Sequence, residues 1–342
     1  MSVLLEYAYR ALRPVLFALP PETAHEVTLA GLRGLGATLG RAVSLPSARQ
    51  PQPVRLFGLD FPSRVGLAAG LDKDGVAPLG LATLGFGFVE LGTVTPRPQP
   101  GNPLPRLRRF RDADALVNRM GFNNLGSAAL ARSLAAVRPR LAGVPVGVNI
   151  GKNKHTPLDR AAEDYCRALG DVHEVADYVT VNLSSPNTPG LRELQGSAEI
   201  TELVGSVLRE RERLGRAESL PVLIKVAPDL APAAVRELAS VLRDLGPDGV
   251  IATNTTITRP NGIADGEAGG LSGVPLRELS LRVVAELADA LQGAMPIVGV
   301  GGIDSLAAAQ QFRRAGAELV QLYTGLIYRG PALVRRLAQQ LD

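Results

Sequence analysis

The stretch Pro296-Ile-Val-Gly-Val-Gly-Gly-Ile-Asp304 is a short apolar run that ends in two glycines. An amphipathic helix, Ser305–Ala315, comes next, and then a second apolar run, Leu319–Ile327. Asp304-Ser305 marks a helix start and Gly316 a helix stop. Neither apolar run alternates with polar residues, which suits strands buried on both faces of a parallel sheet. Working back along the chain, the same unit recurs. Further runs lie at Val65–Asp72, Phe88–Thr95, Pro145–Ile150, Tyr178–Ser185, Val222–Asp229 and Gly249–Thr256. Helical stretches separate many of them: Leu125–Val137, Ser197–Leu214, Pro232–Leu245 and Pro275–Leu291, with Pro331–Leu341 closing the chain. Eight strands, each followed by a helix, predict an α/β fold of the (β/α)8 TIM-barrel type. A doubly wound open sheet is the rival, but no G-x-G-x-x-G opens the first unit. Val54–Phe61 reads as a short hairpin that plugs the barrel floor.

The composition narrows the function. At 342 residues, 46% apolar and 20% charged, the chain is globular in type. One cysteine, Cys166, excludes an internal disulfide framework, and three scattered histidines argue against a metal centre. No apolar stretch is long enough to span a bilayer, and no export signal is visible. Six arginines between Arg97 and Arg119, against Asp112 and Asp114, account for the whole net charge of +4. Aromatics are 4% and tryptophan is absent, so the segment lacks the stacking residues of a nucleic-acid binder. It reads either as a solvated face or as a surface that orients the protein on a membrane.

Residues 1–45 stand apart from the barrel at 54–342. Leu4–Phe17 and Pro21–Leu39 read as an amphipathic helical hairpin, joined to the barrel by a Pro/Ser-rich linker, 46–53. Two roles fit this N-terminal extension. It is a cap packed on the barrel, or a semi-independent lobe whose apolar face enters a bilayer surface.

In such barrels the chemistry sits at the carboxyl ends of the strands. Here those ends carry Lys73, Thr93, Asn149, Asn182, Ser185, Lys225, Thr253, Asn254, Gly302 and Tyr323. A ring of amides and hydroxyls with two lysines suits a flat heterocycle rich in carbonyls and ring nitrogens. The Gly-rich ends of the last two strands suit a phosphate at helix N-termini. Only four of the 37 basic residues are lysine, and Lys225 interrupts an apolar run. That placement points to a need for a compact ammonium, either as a Schiff-base nucleophile or as a donor to a cofactor ring. No carboxylate pair, Cys–His pair or Ser–His–Asp arrangement can be assembled from the strand ends, which argues against a hydrolase.

Four stretches then carry a resemblance. They are Asn182-Leu-Ser-Ser-Pro-Asn-Thr-Pro-Gly-Leu191, Asn118-Arg-Met-Gly-Phe-Asn123, Ala69-Gly-Leu-Asp-Lys-Asp-Gly75 and Gly299-Val-Gly-Gly-Ile-Asp304. Together with the entry segment Pro21-Glu-Thr-Ala-His25, they resemble the dihydroorotate dehydrogenase family in its quinone-dependent, membrane-associated class 2 form. The likeness runs over essentially the whole chain.

The resemblance implies oxidation of (S)-dihydroorotate to orotate in pyrimidine biosynthesis, with FMN as cofactor and a quinone as acceptor. It implies peripheral attachment to the cytoplasmic side of the cell membrane. FMN would contact Ala69, Gly70, Leu71, Asp72, Lys73, Thr93, Asn149, Asn182, Lys225, Thr253, Gly273, Gly302, Tyr323 and Thr324. Dihydroorotate would meet Lys73, Asn118, Arg119, Met120, Gly121, Phe122, Asn182, Asn187, Asn254 and Thr255. His25, Arg106 and Tyr323 would line the quinone path. Ser185 takes the position of the base that removes the C5 proton, where the soluble class 1 form has a cysteine. A Schiff-base aldolase using Lys225 and a non-catalytic peripheral-membrane scaffold are the alternatives from other classes.

Overall fold

The computed structural model describes residues 2–39, 52–141, 143–188 and 190–342. Most of the expected linker, and the end of the expected 1–45 unit, fall at 40–51 and lie outside the described residues. Strands β1 (Val54–Leu56) and β2 (Leu59–Phe61) form an antiparallel hairpin. The chain continues through β3 (Val65–Leu67), β4 (Phe88–Val94), β5 (Leu107–Phe110), β6 (Ala115–Asn118), β7 (Val146–Ile150) and β8 (Tyr178–Asn182). It ends with β9 (Val222–Val226), β10 (Gly249–Ala252), β11 (Gly270–Gly273), β12 (Ile297–Val300) and β13 (Leu319–Leu322).

Eight of these strands close a parallel barrel in the order β10-β12-β13-β3-β4-β7-β8-β9. The unbroken apolar runs are thereby explained, since each barrel strand is buried along its whole length. The regular strands are shorter than the runs suggest. β3 stops at Leu67 and β13 at Leu322, after which Thr324–Arg329 turns into a helix. Beyond their last paired residues these runs become polar loops, and there a site can be built.

The barrel floor is aromatic. Phe61 from the hairpin packs edge-on to Phe88 at 5.2 Å between ring centres, and Phe88 meets Tyr178 at 6.5 Å. Over the mouth lies an element that the strand pattern did not suggest, a three-stranded antiparallel sheet β11-β6-β5. Its period of two explains its role. Ala115, Val117 and Leu271 pack into a small core with Ala264. The alternate residues Leu116, Asn118 and Ser272 face the cleft below.

The N-terminal helices α1 (Ser2–Ala18) and α2 (Pro21–Leu39) both pack on the barrel. α1 lies against the C-terminal helix Pro331–Gln340, and α2 against Pro78–Ala82. The α2 contact is backbone to backbone: a Cβ on Gly80 would lie 2.0 Å from the Leu32 carbonyl oxygen. The basic segment is divided: Arg97 and Arg108 stay exposed, whereas Arg109 and Arg111 reach the end of α1. Arg109 donates to the carbonyls of Phe17, Leu19 and Leu16 at 3.1, 3.0 and 3.3 Å, and Arg111 also donates to Phe17. α1 has no cation in its own last turn, so these arginines satisfy and neutralise its carbonyl end from outside. Both guanidiniums also sit over the Phe17 ring, Arg109 at 4.8 Å.

Candidate active site

The strand ends converge on one cleft of about 1020 Å³, counted to its open mouth. Seventeen of the residues singled out in the sequence line it. They are Ala69, Gly70, Lys73, Thr93, Asn118, Met120, Gly121, Phe122, Asn182, Ser185, Asn187, Lys225, Thr253, Asn254, Thr255, Tyr323 and, from α2, His25.

The others stand behind this lining. Leu71 is core, and the Asp72 carboxylate accepts from the Val76 and Ala77 amides at 2.9 and 2.8 Å, bracing the loop. Asn149 lies beneath the cleft, where its Oδ1 accepts from Thr93 at 2.5 Å and Asn182 at 3.0 Å. Arg119 donates to the Pro105 carbonyl at 3.0 Å. Arg106 pairs with Glu22 of α2 at 2.7 Å. Gly273, Gly302 and Thr324 crowd against one another: a Cβ on Gly302 would lie 2.8 Å from the Gly273 oxygen, and one on Gly273 would lie 3.0 Å from Thr324 Cγ2. Thr324 Oγ1 donates to Ser272 Oγ at 2.9 Å, and Ser272 does line the cleft.

A network of amides orders the lining. Asn182 Oδ1 accepts from Ser184 Oγ at 3.2 Å and Asn254 Nδ2 at 3.3 Å. Asn187 Nδ2 donates to Asn118 Oδ1 at 3.0 Å. Ser185 Oγ accepts from the Asn187 amide at 3.2 Å, and no carboxylate or imidazole hydrogen-bonds to it among the described residues. The segment after it folds into a turn held by Arg192. That guanidinium donates to the Ser184 carbonyl at 3.1 Å, to Asp229 at 2.7 Å and to the Thr255 carbonyl at 2.8 Å.

The electrostatics are dominated by burial. Burial and then the Arg106 charge hold Lys73 down at about 8. Burial also lowers Lys225, against the pull of Glu90. Burial, with the Lys73 charge second, brings His25 down to about 4, so the imidazole is neutral at neutral pH. Burial pushes Tyr323 up to about 12.

Several residues of the site were not singled out in the sequence. Leu107, Leu116, Ser272, Leu276, Val300 and Ala68 are lining residues of ordinary type. Arg192 directly follows the Asn182–Leu191 motif and was given no role. Glu90, fully buried on β4, interrupts an apolar run just as Lys225 does, and that was its signal.

The Lys225 ammonium makes no hydrogen bond to any described residue, yet it faces the cleft among neutral donors and acceptors. A buried ammonium in that state fits a flat ring that offers an acceptor. This defines a polar, cation-bearing site at the mouth of a parallel barrel, of the class that suits a flat cofactor ring. The comparisons with known proteins agree. The family model for dihydroorotate dehydrogenase matches residues 53–342. A dihydroorotate dehydrogenase (quinone) of Azotobacter vinelandii is 53% identical over 97% of this chain and 96% of its own length. That of Aromatoleum aromaticum is 51% identical over 95% and 93%. A crystal structure of the Eimeria tenella enzyme in complex with ferulenol superposes with a TM-score of 0.87, at 37% identity, covering 96% of this chain and 93% of that one. The chain belongs to the dihydroorotate dehydrogenase family. Membership decides against the Schiff-base aldolase and the scaffold.

Proposed function

We propose that this chain oxidises (S)-dihydroorotate to orotate with a quinone as final acceptor, using FMN, within pyrimidine biosynthesis. The observation that carries this reading is the meeting of Lys73, Lys225, Ser185 and four asparagines in one cleft. Bound FMN would supply two-electron chemistry between a dihydropyrimidine and a quinone. Lys225, Asn182, Thr93 and Thr253 would hold its ring, and the Gly273, Gly302 and Thr324 backbone its phosphate.

The chain's own groups do the rest. Lys73 offsets the substrate carboxylate. Asn118, Asn187 and Asn254 each present a donor and an acceptor to the pyrimidine edges. Ser185 accepts the substrate proton as base. Its partner among the described residues, the Asn187 amide, donates to Oγ and so favours oxygen charge there. Arg192, by holding the Ser184 and Thr255 carbonyls together, fixes where Ser185 and Thr255 point.

The same reading assigns residues 1–45 to the membrane and quinone side and 54–342 to the FMN barrel, with 46–53 between. No described helix is long and apolar enough to cross a membrane. The outer face of the helical pair nonetheless exposes Tyr7, Leu12, Val15, Val27 and Leu35. That pattern supports peripheral attachment, which the proposal places on the cytoplasmic side, with His25 and Tyr323 along the quinone path and Arg106 behind them.

The test is a visible spectrum. The purified protein is expected to be yellow and to bleach anaerobically on addition of dihydroorotate. Ser185→Ala should slow that bleaching by about 10²–10⁴-fold with the flavin retained. A preparation that neither carries nor takes up FMN would overturn the reading.

A further inference from the structure

Below the cleft floor the barrel holds a polar layer to which the proposed reaction assigns no role. Glu90 Oε1 accepts from Asn149 Nδ2 at 2.8 Å. Its Oε2 accepts from Gln321 Nε2 at 2.7 Å and from the Tyr178 hydroxyl at 3.3 Å. Three donors and no acceptor surround it, which is the setting of a carboxylate. No lysine or arginine forms an ion pair with it among the described residues, and a buried anion without a cation is costly. The cation that shares the interior is Lys225, on β9, whose ammonium in turn has no hydrogen-bond partner among the described residues. Two more polar atoms in this layer, Thr180 Oγ1 and Gln321 Oε1, are buried without one. Thr180 faces inward because Tyr178 and Asn182, on either side at the strand period of two, do so.

We propose that Glu90 is a positioning residue for the reaction: the fixed counter-charge that keeps Lys225 an ammonium and holds the Asn149 amide under the cleft. Its catalytic meaning rests on the proposed function, in which a cofactor ring lies over Lys225. Burial drives Lys225 toward neutrality and the Glu90 charge opposes it. No other group nearby can take over. Tyr178 from β8 and Tyr323 from the end of β13 are both pushed up by burial, and so stay neutral. Lys73, from the loop after β3, is a second cation, and His25 from α2 is neutral. β10 and β12 present Ile251, Thr253, Val298 and Val300, which carry no charge. With Glu90 in place, Lys225 lies between that buried carboxylate and whatever negative charge arrives in the cleft. The Glu90 charge thus opposes the loss of the Lys225 proton that burial favours.

The four lysines of the chain make this measurable. Labelling the holoenzyme with [6-13C]lysine gives four resonances, and Lys225→Arg assigns the one needed. In Glu90→Gln the Lys225 midpoint is expected to fall by about one pH unit or more. Lys152 and Lys154 should stay where they are. The alkaline limb of kcat should move down with Lys225, while KM at neutral pH holds. Glu90→Asp, which keeps the charge on a shorter arm, should show a smaller fall of the same sign, and it decides the matter if Glu90→Gln does not fold. A Lys225 midpoint that stays put, or rises, overturns the proposal. A flavin-free protein would defeat the proposed function, yet the lysine titration would still decide the role of Glu90.

Discussion

The barrel and the helical pair on its flank are held by different physics. The barrel is a closed ladder of parallel strands, buried on both faces, with an aromatic floor. It has no edge from which to open. The pair α1–α2 joins the close packing of α2 on Pro78–Ala82 to a set of side chains reaching for carbonyls. Arg109 and Arg111 hold the end of α1, Arg13 donates to Tyr328 at 2.9 Å, and Tyr9 to Ile327 at 2.5 Å. Arg106–Glu22 and Arg140, donating to Gly36 at 2.9 Å, hold α2. Burial on both faces of a closed barrel secures the cleft, while one-sided packing and a handful of polar ties secure the surface proposed to meet the membrane. Local opening of the helices should therefore cost less than unfolding the barrel.

The largest break in this contrast comes from the floor. Phe88→Ala should cost about 3–5 kcal/mol of global stability, read as a lower denaturant midpoint for barrel and helices together. Next is a lesion confined to the helices. Gly80→Ala forces a Cβ into the Leu32 carbonyl, so α2 must lift. Quinone turnover should collapse while anaerobic bleaching by dihydroorotate survives, and equal loss of both would show that the two regions are not separable. Arg109→Ala is the milder form, at about 1.5–3 kcal/mol, visible as faster amide exchange in α1 with the barrel unchanged.

Two pH effects are smaller. Lys73 is a cation only below about 8, so kcat/KM for the anionic substrate should fall roughly tenfold per pH unit above that value. Lys73→Met should abolish that limb. His25 titrates near 4 when packed, against an ordinary value of 6.5. Between those values the opened state binds a proton that the packed state refuses, so stability falls as pH drops through that window. Protection factors of the α2 amides, which correct for the intrinsic pH dependence of exchange, should fall as pH drops below 6.5, and His25→Phe should remove that fall.

Much of the architecture was legible locally. Apolar runs ending in Gly, Asn and Ser reveal buried parallel strands with polar tips, because burial and turn chemistry act over a few residues. Lys225 was legible because an ammonium inside an apolar run is expensive and so needs a reason. Glu90 carried the same signal, but its partners Asn149, Tyr178 and Gln321 are 59, 88 and 231 residues away. Its meaning depends on ring closure that brings β13 across β3 to β4. The small sheet over the mouth went unread for a related reason: β11 joins β6 only after 152 residues of chain, as the Asn118–Gly270 bond shows.

By itself, then, the amino-acid order settled the eight βα units, the polar strand tips and the amphipathic entry helices. Each of these arises from periodicity and capping within a dozen residues. The tertiary structure alone decided that Arg109 and Arg111 close the end of a helix some 90 residues earlier, and that a carboxylate lies under the cleft near Lys225. A charge has no periodicity to betray its partner. Its energy depends on distance and on exclusion of water, and both exist only once the chain has folded.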